Sequence, residues 1–203
     1  MTTHLIAIVG GSGSGKTWLA ERLLEQLGPD AGRLSLDDFY RDRSQLSMAD
    51  RDRTNFDHPN SIDWAFFRRC LKGICTGAPV ELPIYDFATH TRRVETSTWQ
   101  LRRLVLLDGL WLLRRAELRQ LYRLSVFVDC AENIRLERRL ARDQRERGRS
   151  GESVRRQFTQ HVAPMHNRFV AGQARQADLV VASPTPPAQL AEITARCRQL
   201  LLP

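Results

Sequence analysis

Residues 10–17 read Gly10-Gly11-Ser12-Gly13-Ser14-Gly15-Lys16-Thr17, a G-x-x-x-x-G-K-[ST] spacing directly after the apolar run Leu5-Ile6-Ala7-Ile8-Val9. Glycines let the backbone curl so that successive N–H groups point at phosphate oxygens. A helix opening at Lys16 adds its positive end. Lys16 can then reach β- and γ-phosphates, and the Thr17 hydroxyl can meet Mg²⁺. The chain has 31 Lys and Arg residues, yet only Lys16 and Lys72 are lysines. A compact ammonium on a flexible stem suits this point-charge role, whereas a planar guanidinium does not fit the same space. A nucleoside triphosphate with Mg²⁺ is the expected ligand. The plain alternative is a glycine-rich turn that holds nothing, and the strand before it and helix after it argue against that.

Asp37, Asp38 and Asp108 each follow a short apolar stretch. In parallel α/β sheets, ligands sit beyond the carboxyl ends of strands, so these acids could face the phosphates. Phosphoryl transfer needs one carboxylate to take the proton of an attacking hydroxyl. It needs another to hold Mg²⁺, directly or through water. Each acid could instead be a helix cap or an exposed turn residue, and spacing does not choose between Asp37 and Asp38. Further on, Arg135, Arg138, Arg142, Arg145 and Arg149 recur at three- and four-residue steps, flanked by Arg139 and Arg147. They share one helical face. For most of them a solvated, salt-bridged surface is expected. The functional alternative is a mobile lid that brings guanidiniums over the transferring group, with Gly148 and Gly151 as hinges. No aromatic platform accompanies the patch, so nucleic acid is not the expected partner.

The elements that must position these residues follow from periodicity and punctuation. Strands are expected at His4–Val9, Arg33–Leu36, Leu104–Leu107, Leu124–Val128 and Leu179–Val181. Helices are expected at Thr17–Leu27, after a cap at Asn60 or Ser61, at Ala131–Arg147, over 151–171 and around Ala188–Leu201. Residues 41–60 read mainly as loop, and Val80–Tyr85 with Thr91–Ser97 as a hairpin. Strands alternating with helices imply an α/β fold with a mostly parallel sheet covered on both faces.

At 203 residues the chain fits one domain, with 42% hydrophobic and 27% charged residues placing it among soluble globular proteins. The formal charge of +8 suits an anionic ligand but is also met by simple arginine enrichment. No apolar run approaches the roughly 18 residues of a membrane span, and no basic-then-apolar leader opens the chain. Cys70, Cys75, Cys130 and Cys197 show no C-x-x-C spacing, which suits a reducing cytoplasm rather than a zinc site or disulfide framework.

The ordered set of motifs resembles the uridine–cytidine kinases, within the wider phosphoribulokinase and uridine kinase group of P-loop kinases. The set comprises GGSGSGKT, SLDDFY at 35–40, NFDHP at 55–59, PIYDFATHTR at 83–92, Asp108-Gly109, VFVD at 126–129 with IRLERRLARDQRERGR at 134–149, Pro164-Met165-His166, and Ala177-Asp178. The resemblance implies a three-layer sandwich of the P-loop NTPase type over 1–203, with a hairpin at about 80–97 for the acceptor and a helical lid at about 142–160. It implies transfer of a phosphoryl group from ATP or GTP, with Mg²⁺, to the 5′-hydroxyl of uridine or cytidine. By the same resemblance Asp37 is the general base and a metal ligand, alongside Thr17 and Asp108. Asp57 with Arg139 is the ribose contact, and Phe56, Tyr85, Phe87 and His90 form the base pocket. Arg149 and Gln157 are further pyrimidine contacts, and Arg142 and Arg147 are phosphate-binding lid arginines. Without the resemblance, Phe56 and Phe87 read as core and His90 as a surface loop residue. The chain departs from the family pattern at Asp108, where Glu is usual, and at Ser183-Pro184-Thr185-Pro186-Pro187, where a Gly-containing loop is usual. The resemblance also implies a homo-oligomer, commonly a tetramer. The alternatives are a kinase of another small polyol or sugar phosphate, and a nucleic-acid-binding ATPase.

Overall fold

A computed structural model describes residues 2–202, and the side chains of all of these except Asp52 and Arg147. Seven strands form: β1 His4–Gly10, β2 Ala31–Ser35, β3 Glu81–Asp86, β4 Thr91–Thr98, β5 Leu104–Gly109, β6 Tyr122–Asp129 and β7 Leu179–Ala182. Five of them make one parallel sheet in the order β2-β5-β1-β6-β7, and β3 and β4 pair antiparallel as a separate hairpin. The helices are α1 Lys16–Leu27, α2 Met48–Asp52, α3 Trp64–Thr76, α4 Ala116–Arg119, α5 Glu132–Arg147, α6 Gly151–Gln157, α7 Ala163–Met165 and α8 Pro187–Gln199.

β1 is apolar from Leu5 to Val9 because both its faces are covered there. Leu5, Ala7 and Val9 pack with Leu34, Phe39, Phe67 and Trp111 on one side. Ile6 and Ile8 pack with Leu19 and Leu23 of α1 and Ile193 of α8 on the other. Three layers result, as expected, and the carboxyl ends of β1, β2, β5 and β6 point to one rim. Among the described residues no helix is long and apolar enough to cross a membrane.

Several local expectations change. β2 ends at Ser35, so Asp37 and Asp38 sit on a 3₁₀ turn, Leu36–Phe39, where the Asp37 N–H donates to Ser35 Oγ at 3.2 Å. The cap of α3 is Asp63, which accepts from the Phe66 N–H at 3.1 Å, while Asn60 and Ser61 belong to a preceding 3₁₀ turn. Local polar residues compete for the cap, and the carboxylate nearest the first turn wins. The 41–60 segment contains α2, capped by Ser47. The helical path over 151–171 runs on to Gln176 and includes two π-helical turns, Phe158–Val162 and His166–Val170.

The largest correction concerns α5. Arg135 and Arg139 are only 2% and 6% exposed, and Arg138 is half-buried against the loop at Gly13 and Ser14. Of the five arginines on the expected face, only Arg145 is exposed. The face turns inward because the phosphate-loop carbonyls and several carboxylates supply partners that sequence spacing does not reveal.

Candidate active site

Gly13 and Gly15 adopt φ of +79° and +94°, the left-handed region that glycine enters without a Cβ penalty. A Cβ on Gly13 would sit 2.4 Å from the Arg135 carbonyl, so α5 packs directly on the loop there. Lys16 is the first residue of α1 and is buried. Burial lowers its pKa, and the charges of Asp37 and Asp108 act against that shift. Gly10, Gly11, Ser12 and Ser14 complete the loop. Ser14 Oγ is buried with no hydrogen-bond partner among the described residues, a donor suited to an anion in the cradle.

A cavity of about 1050 Å³ opens beside this loop. Ser12, Lys16 and Asp37 line it, and so do Phe56, Asp57, Tyr85, Phe87 and His90. Asp37 therefore separates from Asp38, which is not among the lining residues. Burial, with the Asp37 charge beside it, pushes Asp38 up to about 6. Within the lining the Phe56 and His90 rings stack, with centroids 4.6 Å apart and planes at 19°. His90 holds φ +56°, a conformation uncommon outside glycine, at the turn of the hairpin. Tyr85 meets Phe87 edge-on at 5.2 Å. Its hydroxyl is buried without a hydrogen-bond partner among the described residues, and burial pushes it up to about 12.

Arg139 links the phosphate loop to Asp57 and Gln157. Its guanidinium donates to Ser12 Oγ at 2.9 Å and to Gln157 Oε1 at 2.8 Å, and lies 3.7 Å from Asp57 and 3.5 Å from Asp143. Arg149 donates to the same Gln157 oxygen at 2.5 Å. Arg142 faces the cavity and pairs with Asp143 at 2.8 Å. Thr17 and Asp108 lie behind the lining, with Thr17 Oγ1 donating to Asp108 Oδ1 at 3.3 Å. The side chain of Arg147, expected to reach a phosphate, lies outside the described residues.

A hydroxyl and a carboxylate in contact next to a phosphate cradle are hard oxygen donors of the kind Mg²⁺ takes along with phosphates and water. Among the described residues no cluster of three or more His, Cys, Asp or Glu could hold a metal ion, so phosphate and water oxygens would complete such a shell.

Sequence reasoning gave no role to Tyr40. It is buried, lines the cavity, packs on Phe56 and Tyr85 at 5.4 and 5.3 Å, and has its pKa raised by burial and by Asp37 and Asp57. Arg156, Gln160 and His161 also line the cavity. They fall at helical steps from Arg149, Ser153 and Gln157, a periodicity that could have found them.

A parallel sheet with a phosphate loop at its rim, and a buried lysine lining one cavity with Asp37, defines a P-loop kinase. The family model for "Phosphoribulokinase / Uridine kinase family" matches residues 5–187, and the chain belongs to that family. A uridine kinase from Deinococcus deserti is 41% identical over 186 residues, covering 89% of this chain and 90% of that one. Two solved structures share the fold at lower identity. One, described as a possible uridine kinase from Bacillus stearothermophilus, gives a TM-score of 0.63 at 21% identity and covers 89% of each chain. The other is phosphoribulokinase from Rhodobacter spheroides, with a TM-score of 0.65 at 16% identity, covering 89% of this chain and 70% of that one. The chain is thus a kinase of the uridine kinase type.

Proposed function

We propose that the enzyme transfers the γ-phosphoryl group of ATP or GTP to the 5′-hydroxyl of uridine or cytidine, in pyrimidine salvage. The observation that carries this reading is the shared cavity, whose lining includes both Lys16 with Asp37 and the stacked Phe56 and His90. The aromatic faces of Phe56, Tyr85 and Phe87 suit a flat base, and His90 can read its polar edge. Asp57, held by Arg139, accepts hydrogen bonds from two neighbouring ribose hydroxyls. The sugar so placed turns its 5′-hydroxyl toward Asp37, which takes the proton as the oxygen attacks. Lys16 and the arginines at 139, 142 and 147 neutralise phosphoryl charge, and residues about 142–160 close as a lid. Thr17, Asp37 and Asp108 would hold Mg²⁺, which when bound would supply charge neutralisation and orientation of the phosphates.

Arg53, Arg149 and Arg156 at the cavity wall favour a second reading, an acceptor that already carries a phosphate. Purified protein with labelled ATP and a panel of uridine, cytidine, ribulose 5-phosphate and pantothenate separates the two. Label is expected on the two nucleosides; label on ribulose 5-phosphate or pantothenate alone contradicts the nucleoside assignment.

A further inference from the structure

Asp108 lies near the end of β5, and both its carboxylate oxygens have partners. Arg33 Nε donates to Asp108 Oδ2 at 2.6 Å, with the Asp108 side chain 3% exposed and that of Arg33 29%. The strand register explains the contact. Arg33 of β2 lies opposite Leu106 of β5, and Ser35 opposite Asp108, so the arginine reaches two positions along the same sheet face. The other carboxylate oxygen, Oδ1, receives the Thr17 hydroxyl. One oxygen is thus committed to a guanidinium by a charge-assisted bond, and one is turned toward the phosphate loop.

We infer that Arg33 is a positioning residue for Asp108, holding Oδ2 so that only Oδ1 serves the Mg²⁺-bound donor nucleotide. The inference rests on the donor half of the reading above and involves no acceptor. Without Arg33, the Asp108 charge beside the phosphate cradle loses its compensation. A polyphosphate without metal is then repelled, while Mg²⁺ gains a bare carboxylate to approach. Loss of Arg33 therefore makes nucleotide binding more dependent on Mg²⁺, whereas loss of a merely structural contact weakens binding equally with and without the metal.

Calorimetric titration with ADP, with and without Mg²⁺, tests this. In Arg33→Gln the ratio of the two affinities is expected to rise about fivefold or more over the unsubstituted protein, mainly because metal-free ADP binds less well. In an Asp108→Asn background the same substitution is expected to leave the ratio unchanged, since it acts through that carboxylate. If Arg33→Gln does not stay folded, Arg33→Lys keeps the charge but loses the planar fork, and a smaller rise of the same sign is expected. An unchanged ratio, affinities that fall in parallel, or an equal shift in the Asp108→Asn background overturns the inference. With no acceptor in the cell, failure to phosphorylate any nucleoside overturns the acceptor reading alone.

Discussion

Asp37 and Asp38 are adjacent acids of one type, and their surroundings part them. Asp37 lines the cavity with Lys16, whereas Asp38 is turned from it and held at a raised pKa by burial and by its neighbour. A base must reach the attacking hydroxyl, so geometry favours Asp37. Asp37→Asn keeps the shape and removes the proton acceptor. Its kcat is expected to fall by at least about 10²-fold with little change in nucleoside affinity. Single-turnover rates and equilibrium binding of uridine, measured side by side, check this; near-normal turnover would remove the base assignment. The same scale shows what residue types alone conveyed. The phosphate loop is legible because its glycine and lysine spacing is a local backbone requirement. The burial of Arg139 is not, because it depends on Ser12, Asp57 and Gln157 arriving from other segments.

Among the elements, the 41–54 segment shows how irregular chain becomes a pocket wall. Arg51 of α2 donates to the carbonyls of Arg43, Leu46, Ser44 and Thr89 at 2.9–3.0 Å. Three of those carbonyls belong to its own loop, and the fourth belongs to the residue before His90. One guanidinium therefore ties the loop to the hairpin turn that carries the Phe56–His90 stack. Arg51→Ala leaves four carbonyls without this donor and frees the turn. Steady-state kinetics with varied nucleoside is expected to show KM raised about tenfold with kcat changed much less, since only binding remote from the reacting oxygen is lost. Melting is expected to show a stability loss of at least about 1 kcal/mol. A kcat loss with unchanged KM would contradict this role. The hairpin itself was legible from two β-rich runs around a turn, but α2 was not. Its five residues are too few to show a period, and tertiary bonds rather than propensity hold it.

Across the whole molecule, the three layers and the parallel sheet follow from alternating apolar runs and helical patterns, because burial on both faces leaves that mark on sequence. Less legible is how the back of the phosphate loop is braced. A Cβ on Gly11 would lie 2.7 Å from His166 Nδ1 and 2.9 Å from Arg135, so a helical segment 150 residues away abuts the loop. Burial, reinforced by the Arg135 charge, pushes His166 down to about 4 from 6.5. A histidine with a lowered folded pKa binds fewer protons folded than unfolded between these values. Its contribution is therefore complete above pH 6.5 and is lost as pH falls through about 4. Urea melts at pH 7.5 and 5 are expected to show a stability drop that is smaller in His166→Gln by about 1 kcal/mol, allowing for partial solvent screening. Equal drops in both proteins would place His166 outside this linkage.

The claim on which the rest depends is that donor and acceptor occupy facing halves of one cavity. A tetraphosphate joining the 5′-oxygens of adenosine and uridine spans both halves at once. Its inhibition pattern, measured against varied ATP and against varied uridine, is the most direct measurement. Competition with both substrates, at an affinity above that of either alone, is the expected result. Competition with ATP while uridine binds independently would contradict it.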